Sequence, residues 1–88
     1  MNKTSALINF KKAQSLIKKI IEMLDNDEYC IDIMQQNLAV IGLLKSAHQM
    51  MLEGHLKTCF KSAMETKNEA KKNRMIAEIL KVSKIANK

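Results

Sequence analysis

Proline and tryptophan are absent from the 88 residues, glycine occurs twice (Gly42 and Gly54), and the aromatics are Phe10, Tyr29 and Phe60. Lacking proline, glycine-rich turns and β-branched runs, the chain carries no signal for a sheet. Two cysteines, Cys30 and Cys59, close one bridge at most, so no disulfide framework staples the fold. No run approaches the roughly 20 apolar residues that span a bilayer. The opening residues lead to Lys11 and Lys12 instead of a long apolar signal region. The expectation is a cytoplasmic chain with no membrane partner, whose reduced thiols serve as ligands or reactive groups. Neither a paired carboxylate in a cleft nor a Ser/His/Asp set is visible, and the core is too small to wall off a substrate. An enzyme is therefore not expected.

What is present is a helix-forming vocabulary of Leu, Ile, Met, Ala, Lys, Gln and Glu, which predicts an all-α fold in a single domain over 1–88. Apolar residues recur at helical spacing at Leu7, Phe10, Ala13, Ile17, Ile20, Ile21 and Leu24. Asp25-Asn26-Asp27-Glu28 then break the pattern with acidic groups suited to the next helix's N-terminus. A long central helix is predicted from about Tyr29 to Met64, with Ala39, Gly42 and Ser46 forming a small-residue face that admits another helix. A third runs from about Glu69 to Ile85. So short a chain buries a modest fraction of its surface, and copies sharing a core would remedy that.

The charge is +6 and unevenly placed. Residues 1–24 hold five lysines against one Glu, and residues 61–88 hold eight basic groups against three acidic ones. Basic ends suit an anionic partner such as nucleic acid. The alternative is a solvated lysine face with no binding role.

His55 and Cys59 stand four residues apart, on one side of the central helix. Cys30 lies far upstream near the start of that helix, roughly 40 Å away at a rise of about 1.5 Å for each position. Within one chain it cannot join them. In an antiparallel pair of central helices crossing near Gly42-Leu43, the partner's Cys30 comes opposite His55 and Cys59, and a two-fold dimer holds two such sites. Two thiolates and an imidazole form a soft set suited to Cu(I), whereas Zn(II) usually takes a fourth ligand. The competing reading is that a cysteine is a small buried hydrophobe and a lone histidine an ordinary helix residue.

The stretch Asp27-Glu28-Tyr29-Cys30-Ile31-Asp32-Ile33-Met34-Gln35-Gln36, followed by Leu52-Glu53-Gly54-His55-Leu56-Lys57-Thr58-Cys59, resembles the CsoR family of copper-sensing repressors over about residues 7–85. The resemblance implies a three-helix protomer, an antiparallel dimer pairing into a tetrameric bundle, Cu(I) held across the dimer interface, and release of operator DNA on metal binding. It matches Cys30 to the ligand from one subunit and His55 and Cys59 to those from the other. Tyr29 and Glu78 match the tyrosine and glutamate that stand behind the ligands. Formaldehyde sensors of the family lack the cysteine at 59, and persulfide sensors lack the histidine at 55. Nickel sensors add histidines; here only His48 remains, one heptad before His55, where it could approach the site or hold a plain helical position. The seven methionines read as core filler.

In place of the family's arginine-rich first helix the chain has lysines. Lys11, Lys12, Lys18, Lys19 and Lys45 are the candidate DNA contacts, able to meet phosphate but lacking the planar fork that reads guanine. Three functional expectations follow: a Cu(I)-responsive repressor; a metal-binding or helical assembly module without operator recognition; and a thiol or persulfide sensor crosslinking Cys30 to Cys59.

Overall fold

A computed structural model describes residues 3–85, with the side chains of Cys59, Lys84 and Ile85 outside the description. The described residues form helices α1 (Lys3–Asp25), α2 (Cys30–His55), a π-helical turn (Leu56–Phe60), the short α3 (Lys61–Met64) and α4 (Glu69–Ile85), and no strand. Both ends of the π turn keep right-handed helical dihedrals, at Leu56 (φ −63°, ψ −41°) and Lys61 (φ −57°, ψ −47°). Residues 30–64 are therefore one central rod, and the protomer is a three-rod, all-α structure, as its composition predicts.

The sequence spacing explains how α1 lies along α2. On α1 the buried or half-buried positions from Ala6 onward are Ala6, Asn9, Ala13, Leu16, Ile20 and Met23; on α2 they include Ile33, Gln36, Val40, Leu43, Ala47 and Met50. Both sets alternate steps of three and four, the spacing of an apolar seam between nearly antiparallel helices. Small residues sit deepest: Ala13 is 2%, Val40 4% and Ala47 0% exposed. Close backbone approach, not large side chains, makes this seam, so an enlarged residue at Ala47 would cost about 1–3 kcal/mol in overpacking.

A glycine-free turn joins the two helices. The Glu28 N–H donates to the Met23 carbonyl (3.0 Å) and the Asp27 N–H to the Leu24 carbonyl (3.1 Å), which is the Schellman closure of a helix C-terminus. It requires a left-handed residue, and Asp27 takes that place with φ 53°. The expected acidic cap of α2 is not what forms. Tyr29 occupies the N-cap with no side-chain cap bond, and the nearest acid, Asp32, lies in the first turn. The preceding acids are used up in turning the chain. By contrast α4 has a side-chain cap: the Lys71 N–H donates to Asn68 Oδ1 (3.1 Å), and Glu69 sits in the first turn where its charge suits the helix dipole.

The radius of gyration is 17.5 Å and the extents are 58 × 25 × 14 Å, against about 12 Å for a globule of this length. Such a slab cannot cover its own apolar surface. Ile31, Met34, Leu38 and Ile41 form a stripe along α2 on the side away from α1, each at least 40% exposed. A Cβ built on Gly42 meets nothing within 4 Å, and Ala39 and Ser46 are exposed beside it. The small-residue face is thus open within one chain.

The α1–α2 turn generates a stability test. Asp27→Val, which places a β-branched residue in the left-handed region, should lower unfolding stability by about 1–2 kcal/mol. Asp27→Gly should match or exceed the parent. Chemical unfolding followed by far-UV circular dichroism measures both, and a Val variant as stable as the parent would contradict the role given to this turn.

Candidate metal centre

Cys30 opens α2 as a free, exposed thiol, beside Tyr29, which is 67% exposed. His55 closes the same helix. The helical rise between them amounts to about 37 Å, so no bend or loop brings them together. Among the described residues, no three His, Cys, Asp or Glu side chains approach closely enough to hold an ion.

At the His55 end the backbone departs from α geometry. The Lys61 N–H donates to the Leu56 carbonyl, five residues back, and Thr58 Oγ1 donates to the Gly54 carbonyl at 2.7 Å. A threonine hydroxyl bonded four residues back loosens the α ladder, and a π turn accommodates one extra residue there. Cys59 lies inside this turn, still on the rod and four residues past His55. Its side chain is outside the described residues, so the geometry places its backbone alone.

Helix α4 closes over this end. His55 Nε2 lies 3.2 Å from Met75 Sδ, and His48 Nε2 lies 2.9 Å from the Val82 carbonyl. That carbonyl belongs to the last turn of α4, where helix oxygens lack partners within the helix. Since a carbonyl only accepts, His48 carries its proton on Nε2 in this contact. The two histidines and Glu78 line one cavity of about 500 Å³, walled by Met51, Leu52, Ile79 and Val82. Glu78 therefore lines the same cavity as His55, while Tyr29 stands at the opposite end of α2 with Cys30.

The donor set fits a soft ion by its chemistry: an exposed thiol, a second cysteine and a half-buried imidazole are ligands that Cu(I) and Zn(II) accept and that magnesium or calcium does not. Sequence spacing did not single out Met75 as a neighbour of His55. The pair is 20 residues apart, and only the docking of α4 on α2 joins them.

The candidate DNA contacts are all exposed: Lys11, Lys12, Lys18 and Lys19 on α1 and Lys45 on α2. At about 100° per residue the four α1 lysines make a band on one side of the helix, Lys11 and Lys18 turned away from the seam and Lys12 and Lys19 at its edge. Lys45, on the same arithmetic, stands on the side of α2 opposite α1. One chain does not gather all five on one surface.

A family model described as metal-sensitive transcriptional repressor matches residues 2–84. The chain is 44% identical over 62 residues to the copper-sensing transcriptional repressor CsoR of Mycobacterium ulcerans (strain Agy99), covering 70% of this chain and 53% of that protein. It is 31% identical over 74 residues to the CsoR of Bacillus subtilis (strain 168), covering 84% and 70% respectively. A third relative is the copper-sensing repressor RicR of Mycobacterium tuberculosis, 32% identical over 54 residues and matched over 56% of its length. The chain spans about half the length of the first of these relatives. No solved structure gives a significant match. On the breadth of the family match, this chain belongs to the metal-sensitive transcriptional repressors.

Proposed function

We propose that the chain is a cytoplasmic, Cu(I)-responsive transcriptional repressor that holds operator DNA when metal-free and releases it when Cu(I) bridges two subunits. The observation that carries this reading is the unbroken course of α2 from Cys30 to His55. It sets the soft donors at opposite ends of a rod, so that Cys30 of one protomer completes a site with His55 and Cys59 of another. The copper-sensing relatives support the choice of copper. They and the family are repressors, which supports DNA as the partner and gives no place to an enzyme.

In this reading the residues divide the work by position. Cys30, His55 and Cys59 hold the ion, and Cu(I) when bound supplies a crosslink between protomers. Tyr29 and Glu78 flank the two halves of the site and hydrogen-bond around the ligands. Such outer partners orient a ligating imidazole and raise metal affinity. The α2 stripe and the open Ala39–Gly42–Ser46 face pack two central rods antiparallel, and two such dimers form the tetramer. Lys11, Lys12, Lys18, Lys19 and Lys45 hold the DNA backbone through charge. Because Lys45 and the α1 band face different sides of one protomer, the surface that meets DNA draws on several protomers. A change in how protomers sit together then changes the DNA surface, with a coupling of about 1–3 kcal/mol.

Three outcomes test the reading. Purified metal-free protein should bind DNA from upstream of its own gene in an anaerobic anisotropy titration, and one Cu(I) per subunit should weaken it by about tenfold or more. Cys30→Ser should bind DNA as the parent does and ignore Cu(I). Tight Cu(I) uptake without sequence-specific DNA binding would replace the repressor with a metal-binding assembly module.

Sharing of the site between protomers makes a sharper prediction. Neither Cys30→Ser nor His55→Ala should form the high-affinity site alone. Unfolded and refolded together in equal amounts, they should recover about a quarter of the parent's Cu(I) capacity, because half the dimers are mixed and each holds one intact site. No recovery would rule out the shared site.

The lysines are tested by salt. Replacing Lys11, Lys12, Lys18 and Lys19 with alanine should flatten the slope of log K against log salt by about 0.9 for each phosphate no longer neutralised. An unchanged slope would reduce the band to a solvated face.

A further inference from the structure

Met75 Sδ lies 3.2 Å from His55 Nε2, with both residues half-buried. A methionine in a helical core normally meets carbon. Here its sulfur meets the nitrogen of a residue assigned to a soft-metal site, and a thioether is itself a soft donor. The separation is also near that of two donors on a shared ion. With zinc-like lengths of about 2.0 Å to nitrogen and about 2.3 Å to sulfur, two donors on one ion stand about 3.5–3.7 Å apart at a tetrahedral or trigonal angle, a few tenths of an ångström beyond the 3.2 Å seen between these two atoms. Met75 belongs to the face of α4 formed with Lys72, Ile79 and Ser83, all half-buried at steps of three and four. It is thus held towards α2 by the packing of its own helix.

We propose that Met75 donates its thioether to the ion held by Cys30, His55 and Cys59, which rests on the Cu(I) reading above. Nε2 binds through its lone pair, so the imidazole N–H in the bound state is on Nδ1. The consequence is mechanical. Three ligands lie on the central rods of two protomers; Met75 adds α4, so occupancy of the site fixes where α4 sits on α2. Leucine at 75 would keep the volume and the apolar packing but could not bind the ion.

The experiment uses the full chain, metal-free and anaerobic. Cu(I) affinity is measured by competition with a chromophoric Cu(I) chelator for the parent, Met75→Leu and, as a control buried in the α1–α2 seam, Met23→Leu. Copper-edge X-ray absorption is recorded on selenomethionine-substituted parent and Met75→Leu protein. Selenium is expected among copper's nearest neighbours in the parent and not in Met75→Leu, with affinity lowered about tenfold or more by Met75→Leu and unchanged by Met23→Leu. Copper bound by sulfur and nitrogen with no selenium neighbour in the parent overturns the role of Met75 and leaves the shared site standing. A parent that takes up no Cu(I) overturns both.

Discussion

The length of α2 constrains everything built on it. A helix rises about 1.5 Å per residue whatever its sequence, and nothing between Cys30 and His55 interrupts it. Proline is absent, and Gly42 lies in the interior as a tolerated helical residue. The seam with α1 then stiffens the rod: Ala13, Val40 and Ala47, almost fully buried, bring the two backbones close along much of its length. A rigid rod cannot fold its two ends together. Antiparallel pairing with a second rod, as proposed above, is the arrangement that would set unlike ends face to face.

The same rigidity explains the surface. Two helices and a capping third make a slab 14 Å thick in its smallest extent, too thin to enclose large side chains. The stripe Ile31, Met34, Leu38 and Ile41 stays open to solvent within one protomer, and burial against a second copy would recover about 25 cal/mol for each Å² of apolar area removed from water. The surface that would stabilise an assembly is thus carried on the same helix as Cys30 and His55.

Much of this was legible in the residues, and the failures are instructive. Apolar spacing located the three rods to within a few residues: α1 begins at Lys3 instead of near Leu7, and α4 spans Glu69–Ile85 as expected. The separation of Cys30 from His55 needed only helical rise. The turn at Asp25–Glu28 was visible as a break, but its chemistry was misjudged, because acidic residues read as caps serve here in a Schellman closure around Asp27. The π turn had no signature, since apolar periodicity over so short a stretch cannot distinguish a bond to the fourth residue back from one to the fifth. The meetings of His55 with Met75 and of His48 with Val82 were invisible for a different reason. They depend on the register in which α4 docks, and its exposed Ile76 and Leu80 offer that register more than one apolar face.

Those two meetings bear on how a signal could leave the site. Where α4 lies against α2, two polar links run through imidazoles: His48 satisfies the last-turn carbonyl of Val82, and His55 touches the Met75 sulfur. The first link ties α4 near its C-terminus, and the second ties it nearer its start. An ion that claims His55 must remake the second link while leaving the first in place. The π turn sits next to the link that changes, in backbone whose Gly54 carbonyl is bonded to the Thr58 hydroxyl and whose geometry has already left the α ladder. Adjustment at the His55 end therefore meets less resistance than along the α1 seam. On the proposed reading, the long rod carries the metal's position to the partner, and the short helix carries its presence to the rest of the protomer.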